Sequence, residues 1–423
     1  MKKNIMGRIT SSLAAVAATS MLLVGGATAF ADDTSATTTS GAAGTSAEVT
    51  ITKTLNIPEG VTAPNATFTF KFAAKGSDTN SAADTPAIAD KTVNYANGDK
   101  NTVANGTTAS DSYTGKINKE TANLFDGVTY TATGEYVYTV SEANTGFTAL
   151  TGSNGQTVDK MDFDKSEYEM HVIVKDNNGA KYISSVYFRQ TKDAAGHDAD
   201  SSTKVEPIAP GSHSYNLFKN TYTKEAGKTP EDPSTVDDTK KALTITKTVA
   251  DTNGLGDKNK DFTFSLTFTA PQHDTTNDPI QTSYTANKVA KDGTKTPVTF
   301  TAGQAQTFTL KHGEKLEFDS LPAGVRYTLT ENGTAHYTPS AKVVENGAAA
   351  VEVNGEKNAA LTTPASATYL VGEKTNTNDV TNTYADDVPA TGLLINNLPF
   401  IVMIGVAVAL FAGLVIARRN RRA

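Results

Sequence analysis

Ile51-Thr52-Lys53-Thr54-Leu55 and Ile245-Thr246-Lys247-Thr248-Val249 are two copies of one strand-like run, and the repeat they open decides the fold. Side chains of a strand alternate between faces. Val49, Ile51 and Lys53 therefore share one face and Thr50, Thr52 and Thr54 the other, while Leu243, Ile245 and Lys247 line up in the same way. A lysine falls on the apolar side of the first strand in both copies.

Working outward, three more matches follow in the same order. Phe68-Thr69-Phe70-Lys71-Phe72 is echoed by Phe262-Thr263-Phe264-Ser265-Leu266, and Tyr138-Thr139-Val140-Ser141-Glu142 by Tyr327-Thr328-Leu329-Thr330-Glu331. Phe218-Lys219-Asn220-Thr221-Tyr222 closes the first copy as Val380-Thr381-Asn382-Thr383-Tyr384 closes the second. Short runs rich in Val, Ile, Thr, Tyr and Phe, split by turns such as Asp176-Asn177-Asn178-Gly179, predict an all-β chain of two tandem β-sandwich domains. The expected domains span 48–223 and 242–385, joined by a polar, Pro-bearing linker over 224–241.

The parity rule also puts Glu142 beside Tyr138 and Val140, Glu331 beside Tyr327 and Leu329, Asn220 beside Phe218 and Tyr222, and Asn382 beside Val380 and Tyr384. Each domain thus carries a lysine, a glutamate and an asparagine on core-facing positions. A buried ammonium or carboxylate must pair or become neutral. An apolar site lowers a lysine pKa and raises a glutamate pKa. A neutral amine is a nucleophile, and held against a carboxamide it could expel ammonia and leave a Lys–Asn isopeptide bond, with the protonated carboxyl assisting. The plainer alternative is an ordinary ion pair between each lysine and its glutamate.

These residues resemble the isopeptide-containing pilin and adhesin domains of Gram-positive bacteria, in which an "ITK"-like first strand bonds an "NxY"-like last strand beside a core acid. The resemblance implies Ig-like, CnaB-type sandwiches with two sets: Lys53–Asn220 assisted by Glu142, and Lys247–Asn382 assisted by Glu331. The first domain looks most like the streptococcal pilin repeat. The second, with Leu316 to Glu331, looks more like the small adhesin-type B domains.

The chain ends agree. Lys2, Lys3 and Arg8 precede the apolar stretch Leu13 to Val24 and the small residues Ala29-Phe30-Ala31, which reads as a signal peptide over 1–31. The Thr/Ser/Ala/Gly-rich stretch 32–47 reads as disordered. At the other end, Val388-Pro389-Ala390-Thr391-Gly392, the apolar run Leu398 to Ala417 and four arginines resemble the cell-wall sorting signal read by sortase, spanning 386–423. The run is long enough for a helix across a bilayer core of ~30 Å, and the arginines favour a cytoplasmic C-terminus. By that likeness the chain is cut between Thr391 and Gly392 and joined through Thr391 to an amine, of a peptidoglycan precursor or of a neighbouring pilin subunit. Valine stands where the usual motif has leucine.

Cysteine is absent, so disulfides cannot staple these exported domains. Three basic residues lie in the signal peptide and four after Thr391, with no acids among them. Their removal takes the formal charge from −7 to −14. That balance argues against nucleic-acid binding, which needs a basic surface. Asp251 to Asp257 resembles the start of a calcium loop, but Phe262 stands where a bidentate glutamate is needed. The six histidines show no metal-ligand spacing, so neither metal nor cofactor is expected.

The expected function is a structural pilus (fimbrial) subunit on the cell wall, not a turnover enzyme, touching the membrane only before sorting. The alternative is a monomeric wall-anchored adhesin that binds a host matrix protein or glycan through a segment such as Gly76 to Ser112. Lys219 and Lys204 are candidate surface amines for polymerisation.

Overall fold

The computed structural model describes residues 47–99, 115–250, 254–271, 281–364 and 367–384. The signal peptide, the Val388 to Gly392 motif and the apolar run Leu398 to Ala417 lie outside them. Among the described residues no helix is long and apolar enough to cross a membrane.

The first unit is built from β1 (Thr50–Asn56), β2 (Ala66–Ala74), β3 (Lys91–Tyr95), β4 (Lys116–Glu120), β5 (Gly134–Glu142), β6 (Asp159–Asp162), β7 (Glu167–Asn177), β8 (Ala180–Lys192), β9 (Lys204–Val205) and β10 (Ser214–Lys224). One sheet runs β4-β1-β10-β6 and the other β3-β2-β5-β7-β8-β9. Between them lies a core that includes Phe68, Phe70, Tyr136, Tyr138, Phe188 and Phe218. The β7–β8 hairpin turns on Asn178 and Gly179, both at positive φ, as a two-residue loop of the twist-matching kind requires.

The second unit contains β11 (Leu243–Ala250), β12 (Phe262–Thr269), β13 (Ser283–Val289), β14 (Lys295–Thr301), β15 (Ala305–Leu310), β16 (Lys315–Phe318), β17 (Val325–Glu331), β18 (Tyr337–Val344), β19 (Val351–Asn354), β20 (Leu361–Thr363), β21 (Tyr369–Val371) and β22 (Asn376–Tyr384). Its sheets run β14-β13-β16-β11-β22-β18-β19 and β15-β12-β17-β20, with β21 also on β17. The chain is all-β in two tandem units, each with its own apolar core.

In both units the first and last strands are parallel neighbours: β1 beside β10 and β11 beside β22. Along β11 the buried and part-exposed residues alternate as parity predicts. Along β1 they do not, because Thr52 and Thr54 are buried too. The hydroxyl of Thr52 bonds that of Ser214, and that of Thr54 donates to Asn118 and Asn216, so neighbouring strands satisfy this second face.

Three segments are more ordered than their composition predicts. Within Gly76 to Ser112, the segment offered for binding, β3 places Val93 and Tyr95 in the core. Two apolar residues in a five-residue strand are too few to stand out in a polar stretch. Ala47, assigned by composition to the disordered segment, is buried. The linker expected over 224–241 is packed at its start. Lys224 ends β10, and Ala226, Lys228 and Thr229 are buried. Its polar composition misleads because Glu373 of the second unit meets the Lys224 ammonium at 2.9 Å, with both side chains almost fully buried.

Other contacts close the same joint. Arg326 makes a two-pronged ion pair with Glu59, and Asp238 accepts from Ser153 and from the backbone of Asn154. Gly60, at φ +75°, has no room for a side chain. A Cβ there would stand 2.8 Å from Leu370 and 3.1 Å from Gly372.

Candidate functional site: two buried lysine–glutamate–asparagine sets

Lys53 lies on β1 between β4 and β10 and is inaccessible to solvent. Its backbone carbonyl accepts from the Tyr95 hydroxyl at 2.8 Å, which pins the strand where the lysine leaves it. Its Nζ is 2.6 Å from Glu142 Oε2, and 4.8 Å from the centre of the Phe68 ring. Glu142 ends β5, directly opposite Phe70 of β2. The other carboxylate oxygen accepts from Asn220 Nδ2 at 2.5 Å, and Asn220 Oδ1 accepts from the backbone N–H of Asp164 at 2.9 Å. Lysine, glutamate and asparagine therefore touch in one chain of hydrogen bonds inside the core.

A bulge makes this possible. Thr52 pairs with Asn216 but Lys53 pairs with Phe218, so Leu217 is the extra residue on β10. A one-residue insertion reverses which side chains face the core. Beyond it Phe218, Asn220 and Tyr222 share the face of Lys53, and Asn220 lies one diagonal step from the lysine.

The second unit repeats the arrangement without a bulge. Lys247 pairs with Val380, and Asn382 is again two residues further on. Lys247 Nζ is 2.9 Å from Glu331 Oε1, an ion-pair contact whose angle falls outside hydrogen-bond geometry. Phe262 lies under the ammonium at 4.2 Å, and Phe264 stands opposite Glu331. Asn378 is equally close to Lys247 in register, but its carboxamide donates to Thr363, whereas the Asn382 carboxamide oxygen accepts no hydrogen bond among the described residues.

Burial shifts both partners of each pair toward their neutral forms. Burial pulls the Lys53 pKa below that of a free lysine against the opposing pull of Glu142, and pushes Glu142 above the usual carboxylate range against Lys53. Burial likewise takes Lys247 down to about 8, opposed by Glu331, and raises Glu331 against the pull of Lys247. The arrangement can present an unprotonated amine, a proton-holding carboxyl and a carboxamide to one another in a water-free space.

Sequence parity thus named six residues that the fold brings into two clusters. It missed Tyr95, Asp164 and the ring-bearing Phe68 and Phe262. The last pair was visible in the repeated Phe-Thr-Phe run, but nothing in that run says that a ring lies under an ammonium. Lys219 is exposed on β10 as expected. Lys204 on β9 is exposed and stands 4.4 Å from the Tyr187 ring centre. A cleft of about 380 Å³ opens beside the joint, and neither Lys53 nor Lys247 lines it.

The chain is similar in sequence to known proteins along most of its length. Residues 49–223 match the family described as the Spy0128-like isopeptide containing domain, and residues 241–384 match a domain of unknown function, DUF7601. A pilin of Streptococcus pyogenes serotype M1 is 28% identical over 377 residues, covering 86% of this chain and 88% of that protein. The pilus tip adhesin Cpa of Streptococcus pyogenes is 37% identical over 98 residues, covering 23% of this chain and 12% of that protein. Among solved structures, the major pilin from Streptococcus pyogenes is 22% identical, with 81% of this chain and 100% of that chain covered at a TM-score of 0.32. The chain is thus pilin-like over most of its length, and its first β-unit matches the Spy0128-like isopeptide containing domain.

Proposed function

We propose that the chain is a pilus subunit stiffened by two self-formed isopeptide bonds, Lys53–Asn220 and Lys247–Asn382, and attached through Thr391 by sortase. The observation that carries this is the recurrence, in two units, of a buried lysine one diagonal step from an asparagine with a glutamate against it. In each unit the neutral Nζ adds to the asparagine Cγ, the Cγ–Nδ2 bond breaks, and ammonia leaves. The proton lost by Nζ moves through Glu142 or Glu331 to the departing nitrogen, so the glutamate ends as it began. Fixed geometry supplies what is otherwise a sluggish amide exchange, with effective molarities of ~10⁵ M or more. Each unit reacts once and does not turn over.

The pairing of first and last strands gives the bonds a mechanical purpose. Tension between the two ends of a unit shears parallel neighbours, and a covalent bond between those neighbours leaves the intervening chain unloaded. Thr391 follows Asn382 closely in sequence, so a load entering through it would reach the second bond almost at once. Peptidoglycan precursor or the next subunit would supply the accepting amine, with Lys219 and Lys204 as candidates on the subunit side.

Intact mass spectrometry of the exported chain is the direct test. Two bonds remove two ammonias, and an unshifted mass would sink the proposal. The local likeness to a pilus tip adhesin supports a second reading, a wall-anchored adhesin binding a host protein or glycan. Immunoblots of wall extracts separate the two: a high-mass ladder supports the polymerised subunit, and a single band the monomeric adhesin.

A further inference from the structure

Asp164 lies in the short connection between β6 and β7 and is almost fully buried. No described side-chain cation is bonded to its carboxylate. Instead Oδ2 accepts from the backbone N–H of Lys219 at 2.7 Å, and Oδ1 from that of Ser166 at 2.8 Å. Its own backbone N–H donates to Asn220 Oδ1. One residue therefore grips two consecutive positions of β10, the main chain of Lys219 and the side chain of Asn220. A backbone N–H can only donate, so this contact fixes the carboxamide with its oxygen toward Asp164 and its nitrogen toward Glu142.

That orientation matters for amide exchange. When Nζ adds to Cγ, negative charge develops on Oδ1, and a donor already aimed at that atom stabilises it without reorganisation. Glu142 touches Nδ2 and Nζ, the two nitrogens between which the proton must move, and no described contact joins it to Oδ1. We propose that Asp164 is the oxyanion donor of the first site. Its backbone N–H receives the developing charge, its carboxylate holds that N–H in line by anchoring the loop to β10, and Glu142 is left to carry the proton from Nζ to Nδ2.

The atoms balance as before: the Nζ–Cγ bond forms, the Cγ–Nδ2 bond breaks, and one ammonia departs. The second unit offers an internal contrast, since Asn382 Oδ1 has no hydrogen-bond partner among the described residues. The first bond should therefore form before the second. This inference rests on the Lys53–Asn220 bond proposed above.

The test follows both bonds in one full-length chain. Cell-free synthesis is stopped at intervals, and digestion followed by mass spectrometry quantifies the Lys53–Asn220 and Lys247–Asn382 cross-linked peptides. In the unaltered chain the first should appear ahead of the second. Asp164→Ala keeps the N–H but frees its loop, and should slow the first bond by about ten-fold or more while leaving the second at its own pace. Asp164→Asn retains an acceptor for one anchoring contact and should restore part of the rate. Thermal midpoints of the same substitutions made with Asn220→Ala, which cannot cross-link, measure the structural cost separately. An unchanged first rate, equal slowing of both bonds, or a second bond that forms first would overturn the role of Asp164. Absence of any Lys53–Asn220 peptide from the unaltered chain would instead overturn the isopeptide assignment, and this inference with it.

Discussion

Lys53 and Asn220 stand one diagonal step apart on adjoining parallel strands, and they do so because Leu217 is an extra residue in β10. Diagonal neighbours of this kind are within reach of long side chains. Deleting Leu217 should slip the register by one residue and turn Asn220 away from the core. The expected outcome is a mature mass short by one ammonia instead of two, with the cross-linked peptide confined to Lys247 and Asn382. A deletion variant that still loses two ammonias would show that the bulge does not set the pairing.

Glu142→Gln keeps the shape of the side chain and removes its capacity to take and return a proton. The first bond should not form. Leaving Lys53 buried beside a neutral amide costs about 3–5 kcal/mol, and the open loop forgoes about 5 kcal/mol of chain-entropy stabilisation by analogy with a disulfide. Denaturant unfolding should show the first unit melting well before the second, where the unaltered chain holds both. Glu331→Gln should reverse the order.

Titration offers a readout that needs no mass spectrometer. In an Asn382→Ala chain Lys247 remains a free amine, with a folded-state pKa of about 8 against 10.5 when unfolded. Between those values the unfolded state holds a proton that the folded state lacks, so stability rises with pH. The gain should be on the order of 3 kcal/mol from pH 8 to above pH 10. It should vanish when Lys247→Met is added. In the unaltered chain an amide nitrogen does not titrate, so the same rise should be missing. A matching rise in the cross-linked chain would contradict the bond.

Much of this was legible because strand parity is a local rule. Lys247, Glu331 and Asn382 all lie on strands that alternate cleanly, so counting by twos put each on the core face. Asn220 was placed correctly only because the count began at Phe218, past the bulge. A count begun at Tyr215 would have sent it outward. Asp164 was out of reach for a different reason. It acts through its backbone and belongs to a connection, where no periodicity tells which residue will meet which strand. Burial of Lys224 was hidden for the same reason: its partner Glu373 comes from the other unit, and composition cannot report contacts made over so long a separation.

The joint itself is the remaining test. Lys224 donates to Glu373 and to the carbonyl of Pro233, and Glu373 also accepts from Thr62. Glu373→Gln strands a buried ammonium and should destabilise the joint by about 3–5 kcal/mol, whereas Lys224→Met with Glu373→Leu should be nearly neutral. Both cross-links should survive in either variant, since neither residue touches them. Small-angle scattering should show the single variant more extended than the double. Under force the contrast should sharpen. With Asn220 tied to Lys53 and Lys247 tied to Asn382, the load between the units passes only through the connecting chain. The single variant should release residues 225–241 at lower tension, giving a step bounded by about 3.6 Å per residue less the span already present. A much longer step would mean that a unit itself had opened, and that its strands were never joined.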